Sequence, residues 1–215
     1  MTARALIVVS VKAEADAIGR RGDADVLISG VGRVNAAIAL TQHLCRHDTP
    51  RLIINAGIAG ALPAADGSPC VDPGETILAN DSVYFEEGII TPTGFQTMAE
   101  MGFPLGVFDG NRIAGDGELL SAAGNTFQLG PIATVATCSG TDEAARNVAE
   151  RTAAIAEAME GAAVLHVAHH FSIPAVELRT ISNTTGDRHR QQWDIGHALS
   201  ELGPAVDRLL KRLLA

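Results

Sequence analysis

Two glycine-rich segments, residues 29–32 and 55–60, are the first places where this sequence could do chemistry. Each lies at the end of a short apolar run that predicts a β-strand, over residues 26–29 and 52–55. In α/β sheets, ligands bind at the carboxyl ends of strands, where glycine lets the backbone approach a bound molecule closely. The two segments therefore indicate a small-molecule site, although turns required only for packing would have the same sequence.

Neither a dinucleotide nor a metal ion fits the residues around these turns. A dinucleotide fingerprint would place a third glycine where this chain has Asn35, and an acidic residue where the second strand ends in Asn55. His166, His169 and His170 are closely spaced, but no carboxylate accompanies them at a comparable spacing. We therefore predict no metal and no cofactor.

Charge and cysteine content narrow the class of partner. The formal net charge is -9, which argues against nucleic acid because nucleic-acid binding needs a basic surface. No apolar stretch approaches the roughly 18 residues of a membrane helix, and the short run at residues 5–11 predicts a strand and not a signal peptide. An odd number of widely spaced cysteines suits a reducing compartment: Cys45, Cys70 and Cys138. We expect a cytoplasmic protein that binds a small molecule.

Alternating apolar runs and helical patterns predict an α/β fold in a single domain over residues 1–215. The predicted strands cover residues 6–10, 26–29, 52–55, 76–79, 132–137 and 175–181. Helical spacing of apolar residues predicts helices over residues 35–45 and near the C-terminus, with a surface loop at 63–73. Residues 142–171 have the composition of one long helix, but Gly161 leaves room for a strand, and periodicity does not decide between them.

Four motifs occur in an order that is specific to one group of enzymes. They are SGVGRVNAA from residue 29, INAGIAGAL from 54, AMEGAA from 158 and RTISN from 179. In these motifs the chain resembles the purine nucleoside phosphorylase and methylthioadenosine nucleosidase superfamily. The resemblance implies a three-layer nucleoside phosphorylase-like fold with a central mixed β-sheet flanked by helices. It also implies a strand at residues 154–159, no metal, and a homodimer or higher homo-oligomer.

Two further segments are similar to futalosine hydrolases within this superfamily: FEEGIITPTGF from residue 85 with MGFP from 101, and ISNTTGDRHRQQWD from 181. The resemblance implies hydrolysis of the N-glycosidic bond of futalosine, which releases hypoxanthine and dehypoxanthine futalosine in menaquinone biosynthesis. The alternatives are a methylthioadenosine/S-adenosylhomocysteine nucleosidase or another purine nucleosidase. A phosphorylase would need clustered arginines, of which the glycine turns supply only Arg33, and a binding module without activity would not need two glutamates.

The expected chemistry explains why acidic residues are needed. Cleavage of a purine N-glycosidic bond passes through an oxocarbenium-like state, so carboxylates must support positive charge on the sugar while a water is deprotonated. The resemblance assigns Glu14 as the base that activates the water, and Glu160 as the ribose-binding residue. Met159 is expected to pack on the sugar.

The residue opposite the leaving base departs from the family pattern. Methylthioadenosine nucleosidases carry an aspartate where this chain has Asn183, so the acid is either Asp187, four residues on, or absent. In the latter case Asn183 only hydrogen-bonds the base, and its amide nitrogen has two hydrogens for N7 and O6 of hypoxanthine. Arg179, four residues before Asn183, is expected to orient the site or to be a charge on an edge strand.

The remaining site predictions concern the two ends of the substrate. Gly57 and Ile58 are expected to offer backbone and apolar contacts, and Cys138 and Ser139 belong to a segment that matches the base-binding backbone of the family. For the carboxyphenyl end of futalosine, the only clustered basic and aromatic groups are Arg188, Arg190, His189 and Trp193, with Phe85 and Phe95 as ring contacts.

Overall fold

A computed structural model describes residues 4–214, which form ten β-strands and six α-helices. The strands are β1 (Ala5–Val9), β2 (Ala24–Ile28), β3 (Leu52–Ala61), β4 (Thr76–Tyr84), β5 (Gly88–Thr91), β6 (Gly94–Thr97), β7 (Arg112–Ala114), β8 (Gln128–Thr134), β9 (Ala156–Ala158) and β10 (Ala175–Thr184). The helices are α1 (Lys12–Ile18), α2 (Arg33–Leu44), α3 (Gly117–Ala123), α4 (Asp142–Thr152), α5 (Gly161–His170) and α6 (Ile195–Leu213).

Eight strands form one mixed sheet in the order β10-β4-β8-β9-β3-β1-β2, and β7 pairs with β4. Because β10 also pairs with β3, the sheet closes on itself around β10, β4, β8, β9 and β3. Strands β1, β2, β3 and β10 run parallel, so their carboxyl ends meet at one edge. The first glycine segment follows β2 at this edge, as the sequence predicts, whereas residues 55–60 continue β3 as strand and are not the predicted turn.

Helices cover both faces of the sheet and bury its apolar side chains. On one face α6 packs its apolar stripe, including Leu202, Val206 and Leu209, against β1, β3 and β10. On the other face α2 and α5 pack against the same sheet through residues such as Leu40 and Leu165. The predicted central mixed sheet flanked by helices is therefore confirmed. Among residues 4–214, no helix combines the length and the apolar character that crossing a membrane requires.

The ambiguous segment at residues 142–171 is divided into α4, β9 and α5. Thr141 caps α4 by accepting a hydrogen bond from the Ala144 N–H, and the helix ends where Ala153 adopts a left-handed conformation with φ 54°. The chain then passes between β8 and β3 as β9. The strand implied for residues 154–159 is thus present, and tertiary pairing overrides the helical composition of the segment.

Candidate active site

A cavity of about 530 Å³ lies at the carboxyl ends of β1, β3 and β10 and beside β9. Eight of the ten site residues predicted from the sequence line it: Glu14, Ile58, Cys138, Ser139, Met159, Glu160, Arg179 and Asn183. Gly57 and Asp187 do not line it. The sequence therefore identified most of the cavity wall, and the two exceptions have separate physical reasons.

Arg179 is the buried centre of the cavity floor, with a relative exposure of 1%. Its Nε donates to Glu177 Oε1 at 2.9 Å, and its Nη2 donates to Asn55 Oδ1 at 2.5 Å and approaches Glu160 Oε2 at 3.4 Å. Burial alone would lower the pKa of the guanidinium, but the carboxylates of Glu177, Glu160 and Glu14 raise it. Arg179 therefore remains a cation that fixes the surrounding carboxylates, and not an edge-strand charge.

Glu14 is held rigidly although it lies in the first helical turn after β1. Its Oε2 accepts hydrogen bonds from the N–H groups of Ser10 at 2.8 Å and Val11 at 3.2 Å, and its Oε1 accepts from the Ile58 N–H at 3.0 Å. The side chain is buried, with 3% exposure, and lines the cavity. Since each carboxylate oxygen can accept two hydrogen bonds, Oε1 keeps one acceptor position for a further molecule.

Glu160 crosses from the N-terminus of α5 to the first glycine segment. Its Oε1 accepts from the Gly32 N–H at 2.8 Å, while its Oε2 faces Arg179. The glycine turn thus gives one of its N–H groups to a protein carboxylate, so this donor is not available to an anionic ligand. The arrangement fits a carboxylate that receives hydroxyl donors from a sugar.

Two glycines make room for these charged side chains. A Cβ atom on Gly57 would lie 2.5 Å from Glu14 Oε1 and 2.6 Å from Arg179 Nη1. A Cβ atom on Gly161 would overlap the Glu177 carboxylate. Gly57 therefore lies beneath the site, where a side chain would displace both Glu14 and Arg179. It does not line the cavity, so it does not provide the substrate contact that was predicted.

Asn183 lines the cavity at the end of β10, and both the oxygen and the nitrogen of its amide already form a hydrogen bond within the protein. Its Oδ1 accepts from the Ser182 hydroxyl at 2.8 Å, and its Nδ2 donates to the Thr184 carbonyl at 2.9 Å. One amide hydrogen therefore remains for a ligand, and not the two that the sequence-based interpretation assumed. A single donor can serve N7 of a purine, but O6 then needs another partner.

Asp187 does not lie on the cavity wall, contrary to the prediction that it could supply the acid. Its carboxylate accepts from the His189 N–H at 3.0 Å and from Arg190 Nε at 3.1 Å. These contacts, led by the His189 N–H, lower the pKa of Asp187 and favour its ionised form. An ionised carboxylate outside the cavity is unsuited to donate a proton to a bound base.

The basic and aromatic cluster predicted for the far end of the substrate separates into two groups. Arg188 and Trp193 line the cavity, with the guanidinium 4.8 Å from the centre of the indole ring. Phe85 and Phe95 lie elsewhere, on either side of Arg151 at 4.0 and 3.7 Å, so the prediction for these two rings is wrong. Arg190 is also outside the cavity, where it forms an exposed ion pair with Asp142 and Asp187.

Sequence reasoning missed Glu157, a buried carboxylate on β9 that also lines the cavity. Its Oε1 accepts from the Ser139 N–H at 2.7 Å and its Oε2 accepts from the Ser139 hydroxyl at 2.6 Å. Burial raises the pKa of Glu157, although the Ser139 hydrogen bonds oppose the shift. Glu157 and Met159 are two residues apart, so the strand implied for residues 154–159 places both on one face, and this alternation was the signal that could have identified Glu157.

The charge of the cavity wall disfavours an anionic second substrate. Three carboxylates line it, those of Glu14, Glu157 and Glu160, against the guanidinium groups of Arg179 and Arg188. Arg33, beside the first glycine segment, is neutralised by Glu86 at 3.1 Å and Glu87 at 2.9 Å. Within residues 4–214, no three His, Cys, Asp or Glu side chains are grouped so as to hold a metal ion. The site is thus suited to a cationic transition state and a neutral nucleophile.

Comparison with known proteins agrees with this geometry. Residues 18–215 match the family model of the phosphorylase superfamily. The futalosine hydrolase of Thermus thermophilus is 34% identical over 194 residues, which cover 86% of this chain and 80% of the relative. That of Acidothermus cellulolyticus is 32% identical over 229 residues, which cover 97% and 91%.

Solved structures show the same fold at lower sequence identity. Futalosine hydrolase of Helicobacter pylori aligns with a TM-score of 0.76 at 17% identity, covering 98% of each chain. A mutant of the Helicobacter pylori nucleosidase MTAN with 5'-methylthioadenosine in its active site aligns with a TM-score of 0.77 at 18% identity, covering 98% of this chain and 99% of that one. These likenesses concern the fold.

The Arg179 network yields a test of what holds the site together. Arg179→Met leaves the fully buried Glu177 without its cation, and removal of one partner of a buried pair costs about 3–5 kcal/mol of unfolding free energy. Adding Glu177→Gln should recover part of this loss because a neutral amide needs no counter-charge. The measurement is urea denaturation followed by circular dichroism.

The matched control is Arg190→Met, which removes an arginine that also contacts two carboxylates but is exposed. Exposed pairs contribute little, so the urea midpoint should barely move. If Arg179→Met were no more destabilising than Arg190→Met, Arg179 would not be the centre of this network.

Proposed function

The chain belongs to the phosphorylase superfamily, and we propose that it hydrolyses the N-glycosidic bond of futalosine to release hypoxanthine and dehypoxanthine futalosine. The observation that carries this proposal is the Glu14 carboxylate, which backbone N–H groups hold in the cavity, where its negative charge disfavours an attacking phosphate. Identity of 32–34% to relatives named futalosine hydrolase, over most of each chain, supports the substrate.

In this mechanism Glu14 receives a water molecule at its remaining acceptor position. The water oxygen attacks the anomeric carbon of the ribose, the bond from that carbon to the purine nitrogen breaks, and its electron pair leaves with the base as a purine anion. Glu14 takes a proton from the water, and base catalysis of this kind typically contributes about 10² to 10⁴ in rate. The anion takes up one proton from the solvent to become neutral hypoxanthine, and Glu14 releases to the solvent the proton that it took from the water. The carboxylates of Glu14 and Glu160 stabilise the positive charge that develops on the sugar.

Other residues bind and orient the two parts of the substrate. Glu160 accepts hydrogen bonds from ribose hydroxyls, and Met159 packs against the sugar. Arg179 acts indirectly, because it positions Glu160 and lies close to Glu14. Asn183 donates its free amide hydrogen to N7 of the base, which stabilises the leaving group by a hydrogen bond and not by proton transfer.

Arg188 is the candidate partner for the carboxylate at the far end of futalosine. It lines the cavity beside Trp193, and a guanidinium next to an aromatic surface can bind a carboxyphenyl group by charge and by stacking. This assignment stays a prediction of the sequence, now without Arg190 and the two phenylalanines.

We further propose that the protein is one catalytic domain that works as a cytoplasmic homodimer in menaquinone biosynthesis. Free Cys45, Cys70 and Cys138 suit a reducing cytoplasm. Exposed apolar side chains on α2 and on the segment around β5 and β6 offer a surface that a second copy could cover: Val34, Ile38, Ile90, Phe103 and Val107.

The substrate is tested by the base that the purified protein releases. Futalosine, methylthioadenosine and inosine are incubated separately with the protein in phosphate-free buffer, and the free base is identified by chromatography. We expect hypoxanthine from futalosine with the highest kcat/KM of the three. Faster release of adenine from methylthioadenosine would instead favour a methylthioadenosine nucleosidase.

The role of Glu14 is tested by Glu14→Gln, which removes the base while retaining most of the side-chain shape. Turnover should fall at least about a hundredfold, because the amide cannot take a proton from water. Thermal unfolding must be measured as well, since the amide nitrogen of glutamine cannot accept a hydrogen bond and at least one of the three N–H groups that now bind the carboxylate loses its acceptor. The matched control is Glu118→Gln on the exposed face of α3. A folded Glu14→Gln protein within threefold of wild type would place the base elsewhere.

A further inference from the structure

Glu157 has no role in the mechanism above, although a buried carboxylate in a binding cavity is costly unless it is compensated. Its two oxygens receive one hydrogen each from Ser139. Every carboxylate oxygen can accept a second hydrogen, so both oxygens retain acceptor positions. Glu157 therefore offers the cavity an acceptor that has no hydrogen of its own while it is ionised.

The sheet places Glu157 in one row with Asn183. On β10 and β3, Asn183 is the register partner of Gly60, and on β3 and β9, Gly60 is the register partner of Glu157. Directly opposite residues on neighbouring strands project to the same face of a sheet. The side chains of Asn183 and Glu157 therefore flank Gly60 on the face that lines the cavity.

Because Gly60 has no side chain, the Asn183 and Thr185 side chains can lie directly against it. A Cβ atom there would lie 3.0 Å from Asn183 Nδ2 and 2.9 Å from the Thr185 methyl carbon. Neighbouring strands are about 4.8 Å apart, and the sheet is curved here, so β9 and β10 face each other across a gap of less than about 10 Å at this row. A flat purine edge fits between two side chains that approach it from opposite ends of such a gap.

The two ends of that gap present different hydrogen-bonding groups. Asn183 presents a donor and Glu157 presents an acceptor. On a purine, N7 and N1 lie on either side of C6. In hypoxanthine N7 is an acceptor and N1 carries a hydrogen, whereas in adenine both N7 and N1 are acceptors. A donor at Asn183 and an acceptor at Glu157 thus complement N7 and N1–H of hypoxanthine.

We propose that Glu157 is a specificity residue that accepts a hydrogen bond from N1–H of a bound 6-oxopurine. This inference rests on the proposed function, because it takes Asn183 as the partner of N7. Opposite adenine, the carboxylate would meet the lone pair of N1 and leave two buried acceptors facing each other. Discrimination therefore comes from Glu157 and Asn183 together, and not from two hydrogens of one amide.

A purely structural role for Glu157 makes a different prediction. If Glu157 only fixed the Ser139 segment, its loss would weaken binding of every purine by the same factor. Ser139→Ala is the matched control, since it removes one of the two contacts to Glu157 and leaves the carboxylate in place. The ratio of kcat/KM between two substrates that carry different bases therefore distinguishes the two roles, whereas overall activity does not.

The experiment measures kcat/KM for futalosine and for its adenine analogue aminodeoxyfutalosine in wild type, Glu157→Gln and Ser139→Ala. Glutamine can turn an amide N–H toward N1 of adenine, so Glu157→Gln should lower the ratio of futalosine to analogue by at least about tenfold. Ser139→Ala should leave the ratio within twofold of wild type. An unchanged ratio in Glu157→Gln, or an equal shift in Ser139→Ala, would overturn the inference.

A second measurement needs no variant and does not depend on futalosine being the substrate. Inhibition of wild-type base release by free hypoxanthine is compared with inhibition by 1-methylhypoxanthine, using whichever nucleoside the protein cleaves. Methylation removes the N1 hydrogen, so the inhibition constant should rise at least about tenfold. Equal inhibition would contradict the role of Glu157 even if futalosine is hydrolysed. Failure to cleave futalosine, with discrimination between these bases retained, would instead contradict the proposed substrate.

Discussion

The site depends on one buried cation. Arg179 is almost fully enclosed and contacts Glu177, Glu160 and Asn55, with Glu14 nearby. Charges buried at this depth are tolerated only when they are paired and hydrogen-bonded. The same pairing that compensates Arg179 also fixes the side chains that we assign to the sugar and to the water. The interactions that stabilise the buried floor of the cavity therefore also determine the geometry of the site.

Three kinds of local structure make this arrangement possible. Parallel strands bring their carboxyl ends to one edge, Gly57 and Gly161 leave space for charged side chains, and backbone N–H groups hold Glu14 and Glu160 in place. The resulting wall carries more carboxylates than guanidinium groups. Such a wall favours a cationic sugar and water, whereas an attacking phosphate would be repelled and would find Arg33 already paired.

Much of this arrangement could be predicted from the sequence, and the exceptions follow a physical pattern. Apolar runs identified the strands that carry Asn55 and Arg179, because those signals are local. The position of β9 was implied only by family motifs, since its pairing with β8 and β3 is not local. Glu157 was missed although its strand was expected, because none of the motif assignments gave that position a role. Asp187 and Phe85 were misplaced because proximity along a loop does not determine which way a side chain points.

The central claim is that water, and not phosphate, attacks the sugar in this cavity. The most direct measurement is a reaction in ¹⁸O-labelled water that also contains inorganic phosphate, with futalosine as substrate and mass spectrometry of the sugar product. We predict one labelled oxygen on the anomeric carbon of dehypoxanthine futalosine, and free hypoxanthine in equal amount. A sugar 1-phosphate without the label would contradict this account.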